Sequence, residues 1–206
     1  MPDSFYYPNR MGRIVLLSME EVMGRAGVSG LLNLASHSAL VEYYPPDNTK
    51  LEFPFSILSE ILTALEKTYG PQGGRGLALR IGRACFNYGV RQYSTQMGLT
   101  EMGFRLLPSP AKVTAGARAF AELFNKFTDQ RVRVEQAGDK LFWHIERCPL
   151  CWDRQSNEPV CHLAVGLLQE ALYWLSGGKV FNVEEQTCIA AGDSTCTIVI
   201  DQSPIF

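Results

Sequence analysis

The chain has 206 residues and a formal net charge of -2. Its 46% hydrophobic and 19% charged residues exclude a disordered tail and suit a chain with a real core. No basic run occurs, so the electrostatic footprint of a nucleic-acid binder is missing.

The opening residues, Met1 to Arg10, are polar and aromatic, without the charged head and apolar stretch of a secretory signal. Met11 to Met23 carries apolar residues at helical spacing, including Ile14, Val15 and Met19, and Gly24 ends it. Val28 to Ala35 predicts a short second helix, and Tyr43 to Asn48, with two prolines, a loop. A third helix is predicted from Pro54 to Tyr69, with Ile57, Leu58, Ile61, Leu62 and Leu65 as its buried stripe. Gly70 to Gly74 stops it. A fourth helix is predicted from Arg75 to Met97, where Gly76, Ala78, Gly82, Ala84 and Gly89 permit close approach by a helix or ligand. Leu106 to Pro110 connects it to a fifth helix over Lys112 to Phe127.

After Thr128 the period changes to two. Arg131 to Glu135 and Leu141 to Glu146 predict a hairpin turning at Gln136 to Asp139. A polar loop, Cys148 to Pro159, leads to a largely buried helix over Val160 to Leu175 that ends at Gly177 and Gly178. Two last strands are predicted near Val180 to Ile189 and Thr195 to Asp201, turning at Ala191 to Ser194. The Val160 to Leu175 stretch contains His162, Gln169 and Glu170 and is too short and polar to span a bilayer. The expectation is a soluble cytoplasmic protein with no transmembrane segment. The pattern predicts one α+β domain over residues 1–206, a helical layer packed on an antiparallel sheet, with an N-terminal helical extension over about residues 1–50.

Of the six cysteines, Cys85 stands alone, while Cys148, Cys151, Cys161, Cys188 and Cys196 crowd the last third. In a reducing compartment such clustering points to metal binding or redox work rather than structural disulfides. A two-residue gap lets Cys148 and Cys151 face one ion, and a hairpin brings Cys188 toward Cys196. Zinc takes four N, S or O ligands, and thiolates suit it. Seven side chains compete for four places: the five clustered cysteines, His162 and Glu185. Spacing alone does not choose among them. Thiol exchange at Cys148 and Cys151 ranks lower, because the pair enters a polar loop rather than opening a helix after a strand.

These cysteine motifs resemble the vinyl-4-reductase-type family, also called the 4-vinyl-reductase or hydrocarbon-binding domain. The match runs through Cys148-Pro149-Leu150-Cys151, Pro159-Val160-Cys161-His162 with Gly166, and Glu185 to Cys196. Gly74, Arg75, Arg80, Gly82 and Arg83 are similar to the family's middle region, so the resemblance covers roughly Leu51 to Ile200. Asn9 to Arg13 resembles members associated with phototrophic bacteria. The resemblance implies a fold like that of small TRAPP tethering subunits and of heme-based nitric-oxide-sensing domains, an apolar pocket, and dimerisation through helices. In a phenol-sensing branch, zinc is held by positions that correspond here to Cys161, Glu185, Cys188 and Cys196, which implies about one zinc per chain. The helical spacer is about one residue longer here. Cys148 and Cys151 have no counterpart in that branch, so they either displace Glu185 or stay off the metal.

Another branch belongs to bacteriochlorophyll biosynthesis and gave the domain its enzymatic name. No nicotinamide or flavin fingerprint is visible, since Gly70 to Gly76 follows a helix rather than a strand. Hydride chemistry is carried by the cofactor, so binding is favoured over catalysis and no catalytic residue is assigned. The expected function is a zinc-stabilised homodimer that binds a small hydrophobic molecule, a tetrapyrrole intermediate or lipid-like compound, as carrier, sensor or accessory factor. The alternatives are a tetrapyrrole vinyl reductase or its accessory subunit, and a protein-interaction module needing a partner protein. Candidate pocket residues are Phe120, Phe124, Trp143, His144, Tyr173 and Trp174, with only one of Trp143 and His144 able to face the helices. His37, His144 and His162 are candidate axial bases for a metallated tetrapyrrole. Arg75, Arg80, Arg83 and Arg91 are either anion contacts or a solvated helix face.

Overall fold

The computed structural model describes residues 4–93, 107 and 109–205. A short strand β1 (Tyr6–Pro8) leads into a long helix α1 (Asn9–Leu34), then α2 (Ala39–Glu42) and a second short strand β2 (Leu51–Pro54). Helix α3 (Phe55–Tyr93) and helix α4 (Ser109–Phe127) follow. The C-terminal part comprises β3 (Arg131–Ala137), β4 (Lys140–Arg147), α5 (His162–Ser176), β5 (Val183–Thr187), a 3-10 turn over Ile189–Ala191, and β6 (Cys196–Asp201). Four strands form an antiparallel sheet in the order β3-β4-β6-β5, and the helices pack on one face of it. Among the described residues, no helix is long and apolar enough to cross a membrane.

The pleat decides which side chains enter the core. On β4, Leu141, Trp143 and Ile145 are buried, while Lys140 and Glu146 are exposed. The buried three register with Ile200, Ile198 and Cys196 on β6, and Val183 and Glu185 on β5 register with Ile200 and Ile198. One inner face therefore carries aliphatic and aromatic residues, with Cys196 and Glu185 at one end.

Two glycine features shape the helical layer. Gly70 has φ 70 and ψ 171, so it bends α3 without ending it. The predicted five-residue break is thus a single-residue kink, and Pro71 restarts the helix where its missing N–H costs nothing. Gly24 bends α1 in the same way, matching the two separate helices expected there. The predicted reach of the fourth helix to Met97 and the start of the connector at Leu106 lie outside the described residues. The second feature is a reciprocal contact between α3 and α5. A Cβ on Gly82 would overlap the Leu163 carbonyl oxygen, and one on Gly166 would overlap that of Leu79. The two backbones touch, and neither site admits a side chain.

Three expectations are corrected. The β1–β2 ribbon was not expected: it is three to four residues long, too short for a visible alternation, and each strand contains a proline. The predicted strand Val180 to Ile189 shrinks to Val183–Thr187. Cys188 leaves the ladder because its N–H bonds the Asp193 carboxylate at 2.8 Å, and its carbonyl accepts from Ala191 and Asp193. The helix predicted from Val160 begins at His162, because the Cys161 N–H bonds the Glu185 carboxylate at 2.7 Å. The N-terminal segment, expected as an extension, contributes Leu16, Met19, Val28 and Leu32 to the same buried core.

Candidate functional site: a thiol cluster beside an apolar cavity

The five clustered cysteines meet where the end of β4, the start of α5, the end of β5 and the start of β6 converge. All five are buried and unpaired by disulfides. Cys148 Sγ lies 3.5 Å from Cys161 Sγ, and Cys151 Sγ lies 3.4 Å from Cys196 Sγ. Cys161 and Cys196 are 3.7 Å apart, and Cys188 is 3.8 and 3.9 Å from them. The Ile189 N–H points at Cys196 Sγ from 3.3 Å. Glu185 brings a carboxylate into the group. Its Oε2 accepts the Cys161 N–H, while its Oε1 is buried and has no hydrogen-bond partner among the described residues. Burial first, and then the charge of Cys188, push the Glu185 carboxyl up to about 8. Burial likewise raises Cys148, and hydrogen bonding from Cys148 heads the causes that raise Cys161. So many acidic groups cannot ionise together in one buried volume without a cation.

Among the described residues, two sets of four donors have all members within 4.8 Å of one another: Cys148, Cys151, Cys161 and Cys196, and Cys161, Glu185, Cys188 and Cys196. The second is the set implied by the resemblance. His162 belongs to neither. Burial and then the Arg75 charge lower its pKa to about 4.

Beside the cluster lies a cavity of about 100 Å³ between the helices and the sheet. Its walls include Met11, Ile14 and Val15 of α1, Leu58, Cys85 and Phe86 of α3, and Phe120, Leu123 and Phe124 of α4. Trp143 and Ile145 of β4, Leu150, and Leu163, Ala164, Leu167 and Leu168 of α5 complete it. The polar groups are few. Tyr7 donates its hydroxyl to the Gln130 side-chain carbonyl, and burial pushes the Cys85 thiol up to about 12, which keeps it neutral. Tyr7→Phe leaves buried Gln130 without this donor and is expected to cost about 1–3 kcal/mol. Urea denaturation measures it, and an unchanged midpoint would show that the bond contributes nothing net.

Of the six candidate pocket residues, Phe120, Phe124 and Trp143 line the cavity. Phe124 meets Trp143 edge-on at 6.3 Å. His144 does not line it, because the pleat turns it to the other face, where Nδ1 lies 3.1 Å from Thr197 Oγ1 and Nε2 lies 3.7 Å from Glu135. Tyr173 and Trp174 are 49% and 44% exposed on the outer side of α5. Among the described residues, no histidine lines the cavity, which removes the axial-base expectation: His37 pairs with Glu60 at 2.6 Å, and His162 opens α5. Arg75, Arg80 and Arg83 are exposed, and Arg83 bonds Gln169; the Arg91 side chain lies outside the described residues. Sequence reasoning missed Tyr7, Gln130 and Leu150. The only signal for Leu150 was its place inside the Cys-X-X-Cys turn.

Residues 141–202 match the vinyl-4-reductase (V-4-R) domain. That matched segment contains the whole thiol cluster, Glu185 and the inner face of β4 and β6. A search of the curated proteins returns no match. Among solved structures, the chain is similar to an H-NOX protein from S. oneidensis in the Fe(II)NO ligation state. That pair has 15% identity and a TM-score of 0.55, covering 91% of this chain and 97% of that one. An unliganded Fe(II) H-NOX mutant from K. algicida gives 13% identity and a TM-score of 0.59, covering 94% and 95%. The phenol-responsive sensory domain of the transcription activator PoxR, with phenol, gives 18% identity and a TM-score of 0.52, covering 71% and 73%. At these identities the likeness shows the fold: helices on an antiparallel sheet, as in H-NOX domains.

Proposed function

We propose that this chain is a binding domain for a small apolar molecule, acting as a sensor or carrier, with a metal ion at the thiol cluster. The observation that carries the reading is the cavity: a buried, almost wholly apolar chamber with one polar pair at its wall. Its size favours a single-ring molecule, since a void of roughly 150 Å³ accommodates benzene. A tetrapyrrole would require the walls to part, and the histidines that would ligate its metal point elsewhere. The PoxR sensory domain with phenol, which shares the fold, supports the same ligand class. The cluster's fit to zinc rests on its donor chemistry and on the orphaned Glu185 Oε1. Cys161, Glu185, Cys188 and Cys196 would hold the ion. Its role there is structural, joining α5 to the sheet, because four protein ligands leave no open position.

Titrating the purified chain with phenol and other single-ring aromatics, followed by tryptophan fluorescence and calorimetry, tests the binding reading. Saturable uptake is expected, with Trp143 reporting from the wall. Val15→Phe fills the chamber from α1 and is expected to weaken binding at least tenfold while circular dichroism stays native. No saturable uptake by the wild-type chain would overturn the reading.

A further inference from the structure

The thiol cluster holds more donors than one tetrahedral ion can use. Six groups converge: the thiols of Cys148, Cys151, Cys161, Cys188 and Cys196, and the carboxylate of Glu185. Filling the first set of four leaves Glu185 and Cys188 buried beside the ion. Filling the second leaves Cys148 and Cys151 there. Both leftover pairs are buried, so neither is satisfied by water.

The two sets share an edge, Cys161 and Cys196. We propose that the cluster binds two divalent ions, with the Cys161 and Cys196 thiolates bridging them. One ion is closed by Cys148 and Cys151, and the other by Cys188 and Glu185. The inference rests on the reading of the cluster as a metal site and extends it by a second ion.

The geometry supports both halves. With metal–sulfur bonds of about 2.3 Å, tetrahedral ligands lie about 3.8 Å apart. In the first set, Cys148–Cys161 is 3.5 Å and Cys151–Cys196 is 3.4 Å. In the second, Cys161–Cys188 is 3.8 Å and Cys188–Cys196 is 3.9 Å. The shared edge is 3.7 Å. Both halves therefore have tetrahedral edges. The unpartnered Oε1 of Glu185 marks the second half as needing a cation even if the four-thiol half is filled. Charge points the same way. Five thiolates and a carboxylate around one divalent ion leave four buried negative charges, and a second ion halves that. Thiolates bridge readily because sulfur is soft and has lone pairs to spare once one metal is bound.

Metal counting on the full chain decides it. The reduced apoprotein is titrated anaerobically with cobalt(II), following the thiolate-to-metal absorption, and with cadmium-113, following its NMR signal. Absorption saturating at two equivalents, and two cadmium resonances coupled to each other, are expected. Saturation at one equivalent with a single resonance overturns the bridged pair and leaves a one-metal site standing. No uptake overturns both. Cys148→Ser with Cys151→Ser should keep one ion, and Glu185→Gln with Cys188→Ser should keep the other. Should those variants fail to fold, the wild-type stoichiometry still decides.

Discussion

Cys196→Ser is expected to strip the chain of metal and to lower its melting temperature by at least ~10 °C. Cys196 belongs to both sets of four donors, sits at full burial, and receives the Ile189 N–H. Losing it therefore damages every way the cluster has of holding an ion. Metal binding to such sites is folding free energy, because the unfolded chain offers no assembled cage. Elemental analysis and thermal melts, with and without a chelator, measure the two effects together. The chelated wild-type chain should melt close to the variant. Cys85→Ala is the control: that thiol lies on the cavity wall, outside both donor sets, and its loss should leave the metal content unchanged. Full metal content in Cys196→Ser would remove Cys196 from the ligand set.

The second large effect is expected from Gly166→Ala. Alanine normally stabilises a helix interior by about 1 kcal/mol over glycine. Here its methyl would collide with the Leu79 carbonyl, so α3 and α5 must separate. A net loss of about 2–3 kcal/mol is expected, opposite in sign to the propensity change. Gly82→Ala, pressing on Leu163, should behave alike. Gly30→Ala, on α1 with open space around it, should be neutral or slightly stabilising. Denaturant midpoints for the three variants read the pattern directly. Equal responses at Gly30 and Gly166 would mean that the close helix contact does not exist in solution.

The order of helices and strands was legible because period and punctuation carry it. Met11 to Met23 and Leu141 to Glu146 show their buried faces without reference to the rest of the chain. The close helix pair was half legible: small residues announced an approach at Gly82 without naming Gly166 as the partner. What stayed hidden depends on contacts between distant segments. The β1–β2 ribbon joins Tyr7 to Phe53, and neither strand is long enough to announce itself. Cys188 reads as a strand residue until Asp193 draws its N–H away. The cavity combines Tyr7 and Val15 with Phe120 and Trp143, and no local pattern links those positions. His144 and Trp143 could not be told apart until the register placed Trp143 against Ile198 on the inner face.

Leu150 lies between Cys148 and Cys151, and its side chain lines the cavity. The same four-residue turn thus touches the chamber on one side and the thiols on the other. A molecule that seats better against one position of that turn shifts the free energy of whatever the thiols hold. Thermodynamic reciprocity then requires the metal state to shift the affinity of the chamber by the same factor. The two sites are joined by a lever one residue long, so occupancy of one becomes a readable quantity at the other.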